Sequence, residues 1–373
     1  MKRFSITLQE KVRSLDMVIM FCVVAMSGLS ILTLAAASDC YTGNYVRNQL
    51  LALVLGLVCV SVISMIDYDE LIQRMEYVFF GVSILLLVIV MLFGEGENGN
   101  ENWIYLTDTL SIQPSEFVKI TYIITFARHL DRLKGKINHP LSVLQLAIHG
   151  GLISGMVLLT GDLGMALVYL AIMAVMVFSA GISLWYMAGA VAILLILFPF
   201  VWDHMEEYQQ MRILVGFNPD LDPTYMGWQA IKSRECIISG GFRGAGFSGG
   251  SKYYSLPAGQ SDFLFSVMAE KFGFIGAFTY IILITVLLWR IILLAKNCRK
   301  NYASFICMGM VGMLLAQTLE NLGMCLAIVP VVGITLPFFS YGGSSMLSMF
   351  MCIGVLQSIS THNRKYFFER ENG

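Results

Sequence analysis

The sequence predicts an all-α polytopic membrane protein, with about ten transmembrane helices and one large extracellular loop. Three observations carry that prediction. Hydrophobic residues make up 57% of the 373 positions and charged residues only 13%, against about 45–50% and about 25% in soluble domains. Apolar runs long enough to cross a bilayer core, which takes about 20 residues per helix, recur along the chain. One long polar interval, 203–262, interrupts them between the seventh and eighth runs.

The runs fall at 15–38, 48–66, 75–94, 114–130, 141–159, 163–181, 184–202, 263–296, 303–329 and 341–359. The eighth is overlong, so its membrane part is expected to start near Gly273, with 262–272 as a lead-in. The chain 1–373 reads as a single integral membrane domain without an internal repeat. Short loops set orientation through their Lys and Arg. Lys2, Arg3, Lys11 and Arg13 precede the first run, Arg128, Arg132, Lys134 and Lys136 follow the fourth, Lys296, Arg299 and Lys300 the eighth, and Arg364, Lys365 and Arg370 the tenth. All fall on one side, so both termini are expected in the cytoplasm. The acidic 94–112 loop and the 203–262 loop then lie outside.

Several classes lose support. The basic first twelve residues lack a small-residue cleavage site after the first apolar run, so they read as the lead-in to a membrane helix. Eight cysteines are scattered without a CxxC pair, and five histidines without HExxH, which argues against a zinc or redox centre. Gly244, Gly246 and Gly249 match GxGxxG, but in a polar loop rather than between a strand and a helix, so no dinucleotide site is read there. Trp228, Phe247, Tyr253 and Tyr254 make that loop too apolar for a linker and point to a packed one.

Ionisable groups in or near a bilayer are functional candidates by default. In "IQPSEFVKI", Pro114 suits a first helical turn, and Glu116 and Lys119 share a helix face. They read either as a self-neutralising ion pair or as a polar wall whose lysine can meet an anion. Asp162 in "TGDLGMALVY" suits an N-cap. The large loop offers Arg212, Gln229, Lys232 and Arg234. Asp262, in "SLPAGQSDFLFSVMAEKFGFIGA", stands between a polar stretch and a long apolar run. It reads either as a helix cap or as a carboxylate facing a cavity, able to act as general base or to hold a divalent cation. In "NLGMCLAIVPVVGITLPFFSYGGSSMLSMF", Pro330, Gly333, Pro337, Gly342 and Gly343 break helix between two runs, which membrane depth tolerates only inside protein or along a cavity.

Together these blocks resemble the SEDS family of bacteria, the shape, elongation, division and sporulation proteins, of which RodA and FtsW are the best-known members. The resemblance runs through Trp103 with "QPSEFVK", "DLGMA" at 162–166, the stretches 208–246 and 256–277, and 317–345 with "PVVGITLPFFSYGGSS". It implies a peptidoglycan glycosyltransferase that polymerises lipid II on the outer face of the cytoplasmic membrane. Asp262 aligns with the essential acid of a motif like "PE-x-HTDFIF", as general base or as the ligand of a Mg or Mn ion. The resemblance further implies Lys119 and Arg212 at the leaving pyrophosphate, Glu116 orienting Lys119, and Trp103 and Gln229 at the substrate. It implies a class B penicillin-binding protein, a transpeptidase, as partner, and neither an organic cofactor nor a nucleic acid.

The chain departs from the family wording. Ala258 stands for the usual Glu, Gln260 and Ser261 for His and Thr, Ala327 for a usual Gly, and Lys271 where a second acid is common. The wording around "GMCLAIVPVVGITLPFF" leans toward a RodA-like role in elongation and cell shape, with a division or sporulation member as the near alternative. A lipid II flippase and a non-catalytic scaffold are the competing classes. The lone outer acid favours the enzyme.

Overall fold

The computed structural model describes residues 15–41, 43–96, 102–107 and 110–371. Among them are twelve α-helices and one two-stranded hairpin. The helices are α1 (Met17–Ala36), α2 (Tyr45–Met65), α3 (Tyr68–Phe93), α4 (Pro114–Arg132), α5 (Pro140–Leu159), α6 (Leu163–Ser179), α7 (Leu184–His204), α8 (Glu207–Phe217), α9 (Trp228–Gly240), α10 (Leu264–Lys296), α11 (Asn301–Cys325) and α12 (Gly343–Glu371). Strands β1 (Ile104–Thr107) and β2 (Leu110–Ile112) pair antiparallel between α3 and α4. Each of the ten predicted runs is matched by a helix; α8 and α9 are the additions, both inside the 203–262 interval. The basic residues before position 15 lie outside the described residues.

Eight of the helices are long and apolar enough to span a membrane. The other two predicted spans are α4 and α6. Helix α6 has only 17 residues, and α4 carries Glu116, Lys119, Arg128, His129, Asp131 and Arg132. Sequence order does not decide depth in the bundle. The spans of α11 and α12 are 72% and 78% buried, whereas that of α7 is 0% buried and turns Leu195, Ile196 and Phe200 outward. Apolar exposure of that extent fits lipid as the solvent. Small residues let the central helices approach, as membrane packing requires. Gly56 of α2 meets the Phe350 ring of α12, and Gly309 of α11 meets Ile123 of α4 and Met176 of α6.

Helix ends follow their local chemistry. Asp16 caps α1 by accepting from the Val18 and Ile19 amides, and Pro114 and Pro140 open α4 and α5 where no donor is needed. Helix α11 ends at Cys325 with Ala327 at φ 59°. The Ala327 N–H donates to Met324 and that of Ile328 to Gly323, the paired closure that glycine normally serves. Ala327 therefore occupies a left-handed position that glycine adopts more readily.

The helix breaks at Gly273, the position near which the membrane part of the eighth run is expected to start. Gly273 inside α10 has φ 65° and ψ −161°, and every residue from Leu264 to Lys271 is buried. A break leaves backbone groups unpaired, and buried ones cannot go unsatisfied. The Gly-rich loop after α9 supplies the partners. Ala245 and Gly246 N–H donate to the Glu270 and Lys271 carbonyls at 2.8 and 3.0 Å, and Phe274 and Ile275 N–H donate to Gly241 and Phe242 at 2.9 and 3.3 Å. Side chains clamp the same loop. Glu270 accepts from the Ser251, Lys252 and Tyr253 amides, each at 2.8 Å, and Lys271 donates to the Gly249 carbonyl at 2.8 Å. The glycines thus serve close backbone pairing, and the loop is packed, as its aromatic content predicts.

A Cβ at Gly273 would sit 2.3 Å from the Gly244 nitrogen, in addition to the positive φ. Gly273→Ala is expected to destabilise the protein by about 2 kcal/mol or more, from left-handed strain and overpacking together. Thermal unfolding in detergent should show a lower midpoint; an unchanged midpoint would mean that the break does not depend on glycine.

Candidate functional site

The turn that carries Asp262 is built by its neighbours. Ala258 has φ 50°, and its carbonyl accepts from the Ser261 and Phe263 amides at 3.1 and 3.2 Å. Helix α10 begins directly after, with Phe263 as N-cap and no side-chain cap bond. The capping alternative for Asp262 therefore has no support in the geometry. Asn321 of α11 fixes the turn instead. Its Nδ2 donates to the Asp262 carbonyl at 2.8 Å and to the Ile334 carbonyl at 2.7 Å. One amide group thus ties the Asp262 turn to the non-helical segment between α11 and α12. The Tyr341 N–H, donating to the Gln260 carbonyl at 3.2 Å, adds a second tie.

Three elements converge on that segment. Gly333 has φ 70°, and a Cβ there would lie 3.6 Å from Asp262 Oδ2, so the carboxylate faces Gly333. Gly216 of α8 packs so tightly on Pro330 that a Cβ would lie 2.4 Å from the ring. Arg212, one turn earlier on the same face of α8, is exposed. Gly164 at the start of α6 packs on Val332 and Ile334, with Asp162 just before it. The 330–334 stretch is the hub around which Asp262, Arg212 and Asp162 are arranged.

The two aspartates differ in role. Asp162 caps α6 by accepting from the Met165 N–H at 2.9 Å, as its position predicts. It also accepts from Asn102 Nδ2 at 2.6 Å and Gln113 Nε2 at 3.0 Å, pinning both sides of the hairpin. All of its near partners are structural. Asp262 is half-buried with no salt-bridge partner among the described residues. Burial pushes its carboxyl up to about 6, against a hydrogen bond from Ser261 that favours the charged form. Such a group is ionised at neutral pH yet basic enough to take a proton.

The remaining candidates separate by depth. Lys119 is 0% and Glu116 1% exposed, and they pair at 2.9 Å inside α4. Glu116 also accepts from Ser348 of α12 at 2.8 Å. The Lys119 charge is therefore held within the bundle, while Arg212 stands on the surface. Gln229 is half-buried in the first turn of α9, and Trp103 is half-buried where its backbone bridges Glu95 ahead of the hairpin. Asn321, Ser233 and Ser266 are the participants that motif reading missed. Ser233 of α9 meets Ser266 of α10 at 2.6 Å and donates to the Cys325 carbonyl at 2.8 Å, which anchors the loop helix beneath the site. An Asn in an apolar run was the one available signal. All eight cysteines are free.

No group of three or more His, Cys, Asp or Glu side chains suited to a metal occurs among the described residues. Asp262 offers a single carboxylate. That donor set does not fit a resident ion; it is compatible with one shared with substrate phosphates, the usual way in which Mg²⁺ is held.

Asn321→Leu strips the donor from two carbonyls at once. The expected loss is about 2 kcal/mol or more of stability, read as a lower unfolding midpoint. An unchanged midpoint would show that the Asp262 turn is held by other means.

The comparisons with known proteins agree across the chain. A family model for FtsW, RodA and SpoVE, described as "Cell cycle protein", matches residues 12–365. Among relatives, the probable peptidoglycan glycosyltransferase FtsW of Trichlorobacter lovleyi is 32% identical over 356 residues, covering 92% of this chain and 93% of that one. Stage V sporulation protein E of Bacillus subtilis is 32% identical over 335 residues, covering 86% and 88%. Peptidoglycan glycosyltransferase MrdB of Escherichia coli is 30% identical over 357 residues, covering 94% of each. Among solved structures, a chain from a peptidoglycan synthase complex superposes with TM-score 0.82 at 30% identity, covering 94% of this chain and 98% of that one. Rod shape determining protein RodA of Thermus thermophilus superposes with TM-score 0.70 at 28% identity, covering 93% and 96%. The chain belongs to the SEDS family, that of FtsW, RodA and SpoVE, as its motifs predict.

Proposed function

We propose that this protein polymerises lipid II into glycan strands at the outer face of the bacterial cytoplasmic membrane, with Asp262 as general base. The carrying observation is Asp262 itself, an unpaired, half-buried carboxylate raised to about 6 and fixed through its backbone by Asn321. The GlcNAc 4-hydroxyl of one chain attacks the anomeric carbon of MurNAc in another. The new C–O bond forms as the bond to undecaprenyl pyrophosphate breaks, and the hydroxyl proton passes to Asp262. Exposed Arg212 meets the leaving pyrophosphate through charge-assisted hydrogen bonds. In this reading the half-buried Trp103 and Gln229 serve as further substrate contacts. Glu116 and Lys119 act from inside the bundle, with Glu116 fixing the lysine. If a Mg or Mn ion takes part, Asp262 is the residue that would hold it, and the ion would supply positive charge at the pyrophosphate.

The relatives carry division, elongation and sporulation names; the RodA-like wording around Pro330 supports a role in elongation and cell shape. The solved synthase complex coordinates polymerisation with crosslinking, which supports a class B penicillin-binding protein as partner. The Lys and Arg distribution supports cytoplasmic termini, with 203–262 outside.

The test of activity is glycan formation by the purified chain from labelled lipid II, with and without a transpeptidase partner. The base must be ionised, so polymerisation should be near its plateau above pH 7 and fall about tenfold per unit well below the Asp262 value. A rate flat from pH 7 to pH 4.5 would exclude a carboxylate base of this kind. Arg212→Ala should weaken lipid II binding about tenfold or more; equal affinity would remove Arg212 from the pyrophosphate. For orientation, a cysteine label at exposed Tyr105 should react with an impermeant reagent on intact cells, and one at exposed Lys134 should not. The reverse pattern would overturn the placement of the site.

A further inference from the structure

The loop between α1 and α2 grips the segment that leads into the Asp262 turn. At the first contact, Asp39 accepts from the Tyr253 phenol at 2.8 Å and from the Tyr254 phenol. The two rings stack with centroids 4.5 Å apart, which brings both hydroxyls to one carboxylate. Lys271 extends the chain of bonds by donating to the Tyr253 oxygen at 3.1 Å. At the second contact, Tyr41 lies against Gly259. A Cβ at 259 would sit 2.3 Å from the Tyr41 oxygen, so the phenol fills the space that a side chain would take. A third tie is indirect. Tyr45, the first residue of α2, meets Tyr341 edge-on with ring centroids 5.0 Å apart, and the Tyr341 N–H holds the Gln260 carbonyl.

The gripped stretch needs such ties. It holds one turn of 3₁₀ helix, Lys252–Ser255, and then the irregular turn with Ala258 at φ 50°. Asn321 fixes its far end through the Asp262 carbonyl. With the near end loose, the carboxylate would be free to pivot about that point. Asp39 is suited to the near end. It is exposed and caps neither α1 nor α2. Apart from the adjacent Cys40 N–H at 3.2 Å, its bonds run to residues 214 and 215 positions away. Hydrogen bonds to a charged acceptor are the stronger kind. The phenols of Tyr254 and then Tyr253 hold the Asp39 carboxyl below its ordinary range, so the grip stays charged throughout the range in which Asp262 titrates.

We propose that the loop between α1 and α2 braces the Asp262 turn, with Asp39 and Tyr41 as positioning residues that act on the carboxylate through the 253–260 segment. The effect on turnover rests on the reading of Asp262 as general base; the brace itself does not. A misplacement of about 1 Å at a reacting group costs on the order of 10²-fold in rate, so a loosened near end should slow the reaction without touching the groups that bind substrate.

The experiment compares the full-length protein with Asp39→Ala, Asp39→Asn and Tyr254→Phe by amide exchange, lipid II binding and turnover. Exchange of the amides over 253–263 should speed up about tenfold or more in Asp39→Ala. Tyr254→Phe removes one exposed hydroxyl, keeps the ring stack and should give a smaller increase. Turnover of labelled lipid II should fall about tenfold or more in Asp39→Ala, with binding within about twofold. Asp39→Asn keeps an acceptor oxygen and should recover part of that turnover. Unchanged exchange in both Asp39→Ala and Tyr254→Phe would overturn the brace. Faster exchange with unchanged turnover would overturn the positioning role. Turnover and lipid II binding lost in parallel would show a general structural role and overturn it as well. Failure of the polymerase reading shows separately, as no glycan from the unsubstituted chain, and the exchange measurement still decides the brace.

Discussion

The structure depends on one constraint, that buried backbone polar groups must be paired. Helix α10 breaks at Gly273, and the break releases carbonyls and amides that only another backbone can satisfy at such close range. The Gly-rich loop after α9 does so, with Glu270 and Lys271 gripping it from the other side. Because the loop must reach that point, α9 lies against α10 and α11, anchored by Ser233. The buried lead-in that precedes the break then starts at the Asp262 turn. A chain that merely needed to cross the bilayer would have no use for this arrangement. It makes sense as a rigid frame under one carboxylate.

The same economy holds for charge. Most acids near the site are already engaged. Asp162 holds the hairpin amides and caps α6, Glu116 holds Lys119, and Glu270 holds three loop amides. Asp262 has no salt bridge among the described residues and serves no cap or loop clamp, while its backbone is tied down by Asn321. A fixed main chain with an uncommitted side chain is what a general base requires, since geometry is set before the proton moves.

Much of this was legible in the sequence. Hydropathy located a helix for each of the ten runs, and the overlong eighth run pointed to Gly273 as the start of its membrane part, where the helix in fact breaks. Asp162 was recognisable as a cap from its place before an apolar helix. Two things resisted. Burial in a membrane protein does not rise with hydropathy, because lipid accepts apolar surface as readily as a protein core does. Thus α7, 0% buried, has a mean hydropathy of 2.3, whereas α12, 78% buried, has only 1.3. Long-range polar pairing also leaves no local trace. The bond from Asn321 to Asp262 spans 59 positions, and that from Ser348 to Glu116 spans 232. Lys271 looked like an anomaly in the motif. It becomes a loop clamp only when the Gly249 carbonyl is seen beside it.

The central claim is that Asp262 accepts a proton during glycan polymerisation, and replacing one oxygen tests it. Asp262→Asn keeps the side-chain shape and leaves the backbone bond from Asn321 intact, so the protein should fold and bind lipid II as before. Removing a general base typically costs about 10²–10⁴-fold in rate, so the polymer yield from labelled lipid II should fall by that factor. A yield close to that of the unsubstituted protein, from a sample with an unchanged unfolding midpoint, would contradict the account and move the carrier and scaffold readings forward.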